Sequence, residues 1–139
     1  MSTNEMDERL DRALAAYLRQ QIQAPATAVT DFLDIIIGDA RRLQLSEVMS
    51  DLDRMHAAGA RLNAFVTKLI ADTSTDRKQN ESFDDFHRRL RHDLRTPLNA
   101  ILGYSEMLIE DMDGDNDAPL RADLLKLKES ADFLLGQID

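Results

Sequence analysis

Apolar residues recur every three or four positions in four long stretches of this chain. That is the period of an amphipathic helix, not the alternation of a strand. From about Met6 the first stripe reads Leu10, Leu14, Leu18, Ile22, Pro25/Ala26, Val29, Leu33 and Ile36, and it fades near Gly38. Residues Asp39 to Gln44 read as a short polar link. A second stripe of Val48, Leu52, Met55, Leu62, Phe65, Val66 and Leu69 predicts a helix over Ser46–Ile70, with Ser46 as its N-cap. Residues 72–80 contain no apolar side chain and read as a linker. The third stripe, Phe83, Phe86, Leu90, Leu94, Pro97/Leu98, Ile101, Ser105/Leu108 and Met112, predicts a helix over Ser82–Met112. A turn is expected at Asp113–Asp117. The fourth helix starts near Pro119, a residue suited to a first helical turn, and continues through Leu120, Leu124, Leu127, Leu134 and Ile138.

The two halves match each other without a gap at an offset of 72 positions. Leu18-Arg19 falls on Leu90-Arg91, Pro25 on Pro97, Ala28 on Ala100, Asp39 on Asp111, Asp51-Leu52 on Asp123-Leu124, and Leu62 on Leu134. Two amphipathic hairpins can share a period by chance, but an interior helix proline is costly, and a matched pair of them argues for duplication. The expected organisation is a hairpin over residues 6–71, a linker over 72–80 and a second hairpin over 81–139. One hairpin cannot bury its stripe alone. The expected fold is therefore all-α: an antiparallel four-helix bundle made of two helical hairpins, joined up-down-up-down by a linker of about nine residues. The alternative is a homodimeric bundle with the extra helices stacked end to end.

Composition narrows the function. The chain has 139 residues, a net charge of −9 and only 5% aromatic residues, with no tryptophan. That acidity argues against nucleic-acid binding. The absence of cysteine removes disulfides and thiolate metal sites. No apolar run approaches eighteen residues and no leader pattern is visible, so no membrane span is expected and a cytoplasmic location is the default.

Candidate chemistry gathers on the third helix. His92 lies midway between the stripe residues Leu90 and Leu94, so at roughly 100° per residue it points about 160° away from each, toward solvent. An imidazole nitrogen is a good nucleophile near neutral pH. Asp93 beside it can orient the ring and accept its proton. Arg88, Arg89, Arg95 and Asn99 lie one to two turns away and can stabilise a phosphoryl group on the ring. Thr96, four residues on, can hold a water or polar ligand next to it. Pro97 removes the donor that would bond the Asp93 carbonyl and is expected to bend the helix there.

The run His92-Asp93-Leu94-Arg95-Thr96-Pro97-Leu98-Asn99 closely resembles the H-box of the histidine-kinase dimerisation and phosphoacceptor family, and the resemblance extends through Gly103-Tyr104-Ser105-Glu106-Met107-Leu108. The resemblance implies that His92 is phosphorylated, that Asp93 assists as acid or base, and that Thr96 serves phosphatase action. It also implies a response-regulator receiver domain as partner, docking near Gly103 and Met107, and a histidine-kinase catalytic domain where one is present. In the first half Gln20 stands under His92, Gln21 under Asp93, Ala24 under Thr96 and Thr27 under Asn99. A neutral amide is not a nucleophile, so that copy is expected to keep the shape and lack the reaction.

No glycine-rich nucleotide-binding segment is visible. No cofactor is therefore expected in these residues, with ATP and magnesium entering only through a separate catalytic domain. No metal site is expected. Asp111–Asp117 lacks the glycine and glutamate of a calcium loop at the sixth and twelfth positions, and His87 is five residues from His92 rather than four. His56 reads as a surface residue. The competing function is a non-catalytic signalling scaffold that binds a receiver or output domain without phosphorylation. A weaker one is a phosphatase aid acting through Asp93 and Thr96.

Overall fold

A computed structural model describes residues 3–75, 83–112 and 118–139 of the chain. Among these residues every extended element is helical: α1 (Thr3–Tyr17), a π-helical turn (Leu18–Gln23), α2 (Ala24–Arg42), α3 (Ser46–Thr75), α4 (Phe83–Asp111) and α5 (Ala118–Ile138). The segments α1, π turn and α2 follow one another without a break and form one arm. The fold is thus an all-α bundle of four arms.

Each arm packs against two others: α2 against α3 and α5, and α4 against α3 and α5. The diagonal pairs do not approach. The core is the set of stripes read from the sequence. Leu18, Ile22, Leu33 and Ile36 from the first arm, Leu52, Met55 and Leu62 from α3, Leu90, Leu94, Leu98 and Ile101 from α4, and Leu120, Leu124 and Leu134 from α5 form one buried cluster. The stripes of both hairpins therefore meet inside a single chain. Burial also repeats at the 72-residue interval: Leu18 and Leu90, Ile22 and Leu94, Val29 and Ile101, Leu52 and Leu124, and Leu62 and Leu134 are buried pairwise. At one pair of positions the side chains differ between the hairpins. Gly59 lets Leu33 and Thr30 approach so closely that an added Cβ would lie 3.2 Å from each. The corresponding residues 72 further on are Ser105 for Leu33 and Ala131 for Gly59, both fully buried. Buried Ser105 donates its hydroxyl to the Ile101 carbonyl at 2.7 Å, so that hydroxyl is not stranded.

Several boundaries differ from the sequence reading. The first arm begins at Thr3, not Met6, and runs past Gly38 to Arg42. Within the expected polar link, Ala40 is fully buried, because an alanine extends the stripe as well as a larger residue where helices are close. The arm ends in a Schellman turn: Leu45 N–H donates to the Ala40 carbonyl at 2.9 Å and Gln44 N–H to Arg41 at 3.1 Å. Gln44 takes the left-handed position, φ 57°, that glycine usually fills. Ser46 is the first helical residue of α3, so the cap position falls to Leu45. Helix α3 also continues to Thr75, into the stretch expected as linker; residues 76–80 and the expected turn at Asp113–Asp117 lie outside the described residues.

The two matched prolines are accommodated differently, and the bend expected at Pro97 does not interrupt its helix. Ahead of Pro25 the helix widens, and Ala24 N–H reaches the Arg19 carbonyl five residues back. A π turn spaces the backbone where the proline ring would crowd the preceding turn and leave a carbonyl without its donor. Around Pro97 the α-helical pattern of α4 is unbroken. Truncating a residue shared by the whole core should be costly. Leu94→Ala is expected to lower unfolding free energy by about 2–5 kcal/mol in a urea titration followed by circular dichroism.

Candidate functional site

The site is built on the outward side of α4. The inward stripe of Leu90, Leu94 and Leu98 fixes the rotation of the helix, and that rotation leaves His92 with 87% of its side chain exposed. Its Nδ1 lies 3.3 Å from Oδ1 of Asp93, whose side chain is 31% exposed. In the tautomer that donates Nδ1–H to Asp93, the Nε2 lone pair is free and faces solvent-accessible space, the arrangement of a nucleophile oriented by a carboxylate.

His92, Asp93, Thr96 and Pro97 form one wall of a groove of about 200 Å³, and Arg61 and Phe65 of α3 form the other. The sequence reading assembled the α4 wall and missed the α3 wall. Arg61 and Phe65 belong to the other hairpin, and only the packing of α3 on α4 brings them to His92. The three guanidiniums expected to stabilise a phosphoryl group are engaged elsewhere in this structure. Arg88 lies 3.6 Å from Asp85, Arg89 sits 5.3 Å from the Phe86 ring centroid, and Arg95 bonds the Asp139 carboxylate. None of the three lines the groove, and neither does Asn99, which is exposed one turn beyond Thr96.

The expected docking residues Gly103 and Met107 lie further along the same side. Positions 92, 96, 99, 103 and 107 are all exposed and form a continuous strip down α4. Met107 is 52% exposed although apolar. A Cβ at Gly103 would meet nothing within 4 Å, so this glycine serves no close approach within the chain.

A second groove, about 420 Å³, lies between the first arm and α5, lined by Gln20, Ala24, Pro25 and Ala28 on one side and Glu129, Ser130 and Phe133 on the other. Gln20, Ala24 and Pro25 stand 72 positions before His92, Thr96 and Pro97, and Phe133 stands 72 after Arg61. His56, read as a surface residue, is exposed and pairs with Asp34 at 3.3 Å. Among the described residues no cluster of three or more His, Asp or Glu could hold a metal ion, and no helix is long and apolar enough to cross a membrane.

A surface histidine oriented by a carboxylate on a helical hairpin is the arrangement of a histidine phosphoacceptor. Residues 84–139 match the His Kinase A (phospho-acceptor) domain family. A relative, hybrid signal transduction histidine kinase D of Dictyostelium discoideum, is 53% identical over 34 residues. That stretch is 24% of this chain and 2% of the relative, so the chain spans a small fraction of that protein's length. No solved structure matches.

Because the site projects from the core and does not support it, changes there should leave folding intact. His92→Gln is expected to alter unfolding free energy by no more than about 0.5 kcal/mol. Gly103→Ala should raise it by roughly 0.5–1 kcal/mol, since the open space removes any steric cost. Urea denaturation of both variants checks this.

Proposed function

We propose that the chain is a histidine phosphoacceptor of two-component signalling, in which His92 carries a phosphoryl group to or from the aspartate of a response-regulator receiver domain. In transfer from a receiver, Nε2 attacks phosphorus, a nitrogen–phosphorus bond forms, the acyl phosphate bond breaks, and the receiver carboxylate leaves. Asp93 holds the ring and accepts the Nδ1 proton as positive charge develops on the imidazole. The observation that carries this reading is the 3.3 Å contact between His92 and Asp93 on a fully displayed imidazole, within the segment that matches the phosphoacceptor family.

The exposed strip from His92 through Asn99 and Gly103 to Met107 suits receiver docking. A flat strip with an open glycine and an uncovered methionine lets another helix come close. Thr96, in the groove beside the imidazole, is suited to hold the water that removes the phosphoryl group from a partner. A kinase catalytic domain supplying ATP and magnesium would act from outside these residues, and a cytoplasmic location suits such chemistry. The first hairpin is read as a degenerate copy. It replaces, within the chain, the second subunit that a single hairpin would need.

Mixed with phosphorylated receivers, the wild-type protein should acquire an acid-labile label at His92, and the His92→Gln variant should acquire none. Thr96→Ala should keep transfer while slowing receiver dephosphorylation. Absence of label from every donor, with circular dichroism unchanged, would favour a non-catalytic scaffold. Light scattering in line with chromatography should give the mass of one chain, 15.7 kDa, at micromolar concentration; a stable dimer would count against the pseudo-dimer.

A further inference from the structure

We propose that Arg61, on α3 of the first hairpin, is the phosphoryl-positioning residue of the His92 site. This rests on the phosphoacceptor reading above and adds a component to it from the half of the chain outside the family match.

Three observations carry the assignment. Arg61 is exposed and lines the groove opposite His92, Asp93 and Thr96, and it is the only guanidinium among the lining residues. It has no carboxylate partner among the described residues, whereas Arg88 and Arg95 on α4 each have one. Most telling is the comparison between the two grooves. Where the nucleophile and threonine are present, as His92 and Thr96, the facing helix carries Arg61. Where Gln20 and Ala24 stand in their places, the facing position holds Phe133, 57% exposed. The cation occurs where a phosphoryl group would need it, and an apolar ring takes its place where there is no acceptor.

The chemistry follows from charge. A phosphoryl donor is anionic and the chain carries a net charge of −9, with Asp93 directly beside the nucleophile. A guanidinium across the groove offsets that repulsion and can hold two phosphoryl oxygens at once while the imidazole nitrogen attacks. Arg61 acts on the phosphoryl group rather than on the imidazole, which is engaged by Asp93 on its other nitrogen.

Two small electrophiles separate this role from others. Phosphoramidate is anionic: an imidazole nitrogen of His92 forms a bond to phosphorus, the phosphorus–nitrogen bond of the reagent breaks, ammonia leaves, and the imidazole proton passes to water. Diethyl pyrocarbonate is neutral and acylates the same nitrogen. Reaction at His92 is followed by mass spectrometry of the peptide that contains it, using the full chain. Arg61→Gln should slow phosphoramidate modification roughly threefold to tenfold at low salt and leave the diethyl pyrocarbonate rate unchanged. Arg61→Lys should recover part of the rate, and the difference should shrink as salt is raised. Equal phosphoramidate rates in wild type and Arg61→Gln would overturn the assignment, as would equal slowing by both reagents, which would mean the variant had altered the imidazole itself. Neither result bears on the phosphotransfer reading, which is judged separately by transfer from a receiver.

Discussion

The structure depends on mutual burial of two apolar stripes, neither of which can be hidden by its own hairpin. An isolated antiparallel helix pair leaves half of its stripe in water, and the conformational entropy of ordering some sixty residues cannot be offset by so small a core. Closing the ring of α2, α3, α4 and α5 changes the balance, because each stripe is then covered on two sides. Everything functional follows from that closure. It fixes the rotation of α4, which decides that His92 faces outward, and it places α3 against α4, which supplies the far wall of the groove.

Much of this was legible in the sequence. Four helices, their inward faces and the outward position of His92 all follow from a period of three to four residues, since a helix has only one way to point Leu90, Leu94 and Leu98 at a core. The adjacent letters His92 and Asp93 made the displayed imidazole and its carboxylate neighbour visible together. What escaped were features set by contacts between elements. Arg61 could not be tied to His92 by spacing along one helix, because the pairing depends on the register of α3 against α4. The 72-residue self-similarity was the available signal, since it implies that the second helix of one hairpin faces the first helix of the other. The contacts of Arg88, Arg89 and Arg95 were hidden for a similar reason. Helical spacing places them near His92 but does not say that Asp85, Phe86 and Asp139 compete for them.

Backbone details were less legible still. The end of the first arm was missed because a glutamine, Gln44, occupies the left-handed position that is normally recognised by a glycine. The buried Ala40 shows no hydrophobic signal beside larger residues. The prolines at 25 and 97 look equivalent as letters, yet one follows a π turn and the other sits in a regular helix.

Joining both hairpins in one polypeptide also changes what can vary independently. In a bundle assembled from separate chains, each site is shared with whichever partner is bound, and a defective copy can be incorporated beside a sound one. Here the wall contributed by α3 is inherited with the histidine it faces and is translated in the same molecule. On the proposed pseudo-dimer reading the bundle needs no encounter, so its integrity would not fall on dilution and its halves would not be exchanged with related chains. The covalent link makes pairing fidelity a matter of connectivity, leaving the surface of each helix free to diverge toward different tasks.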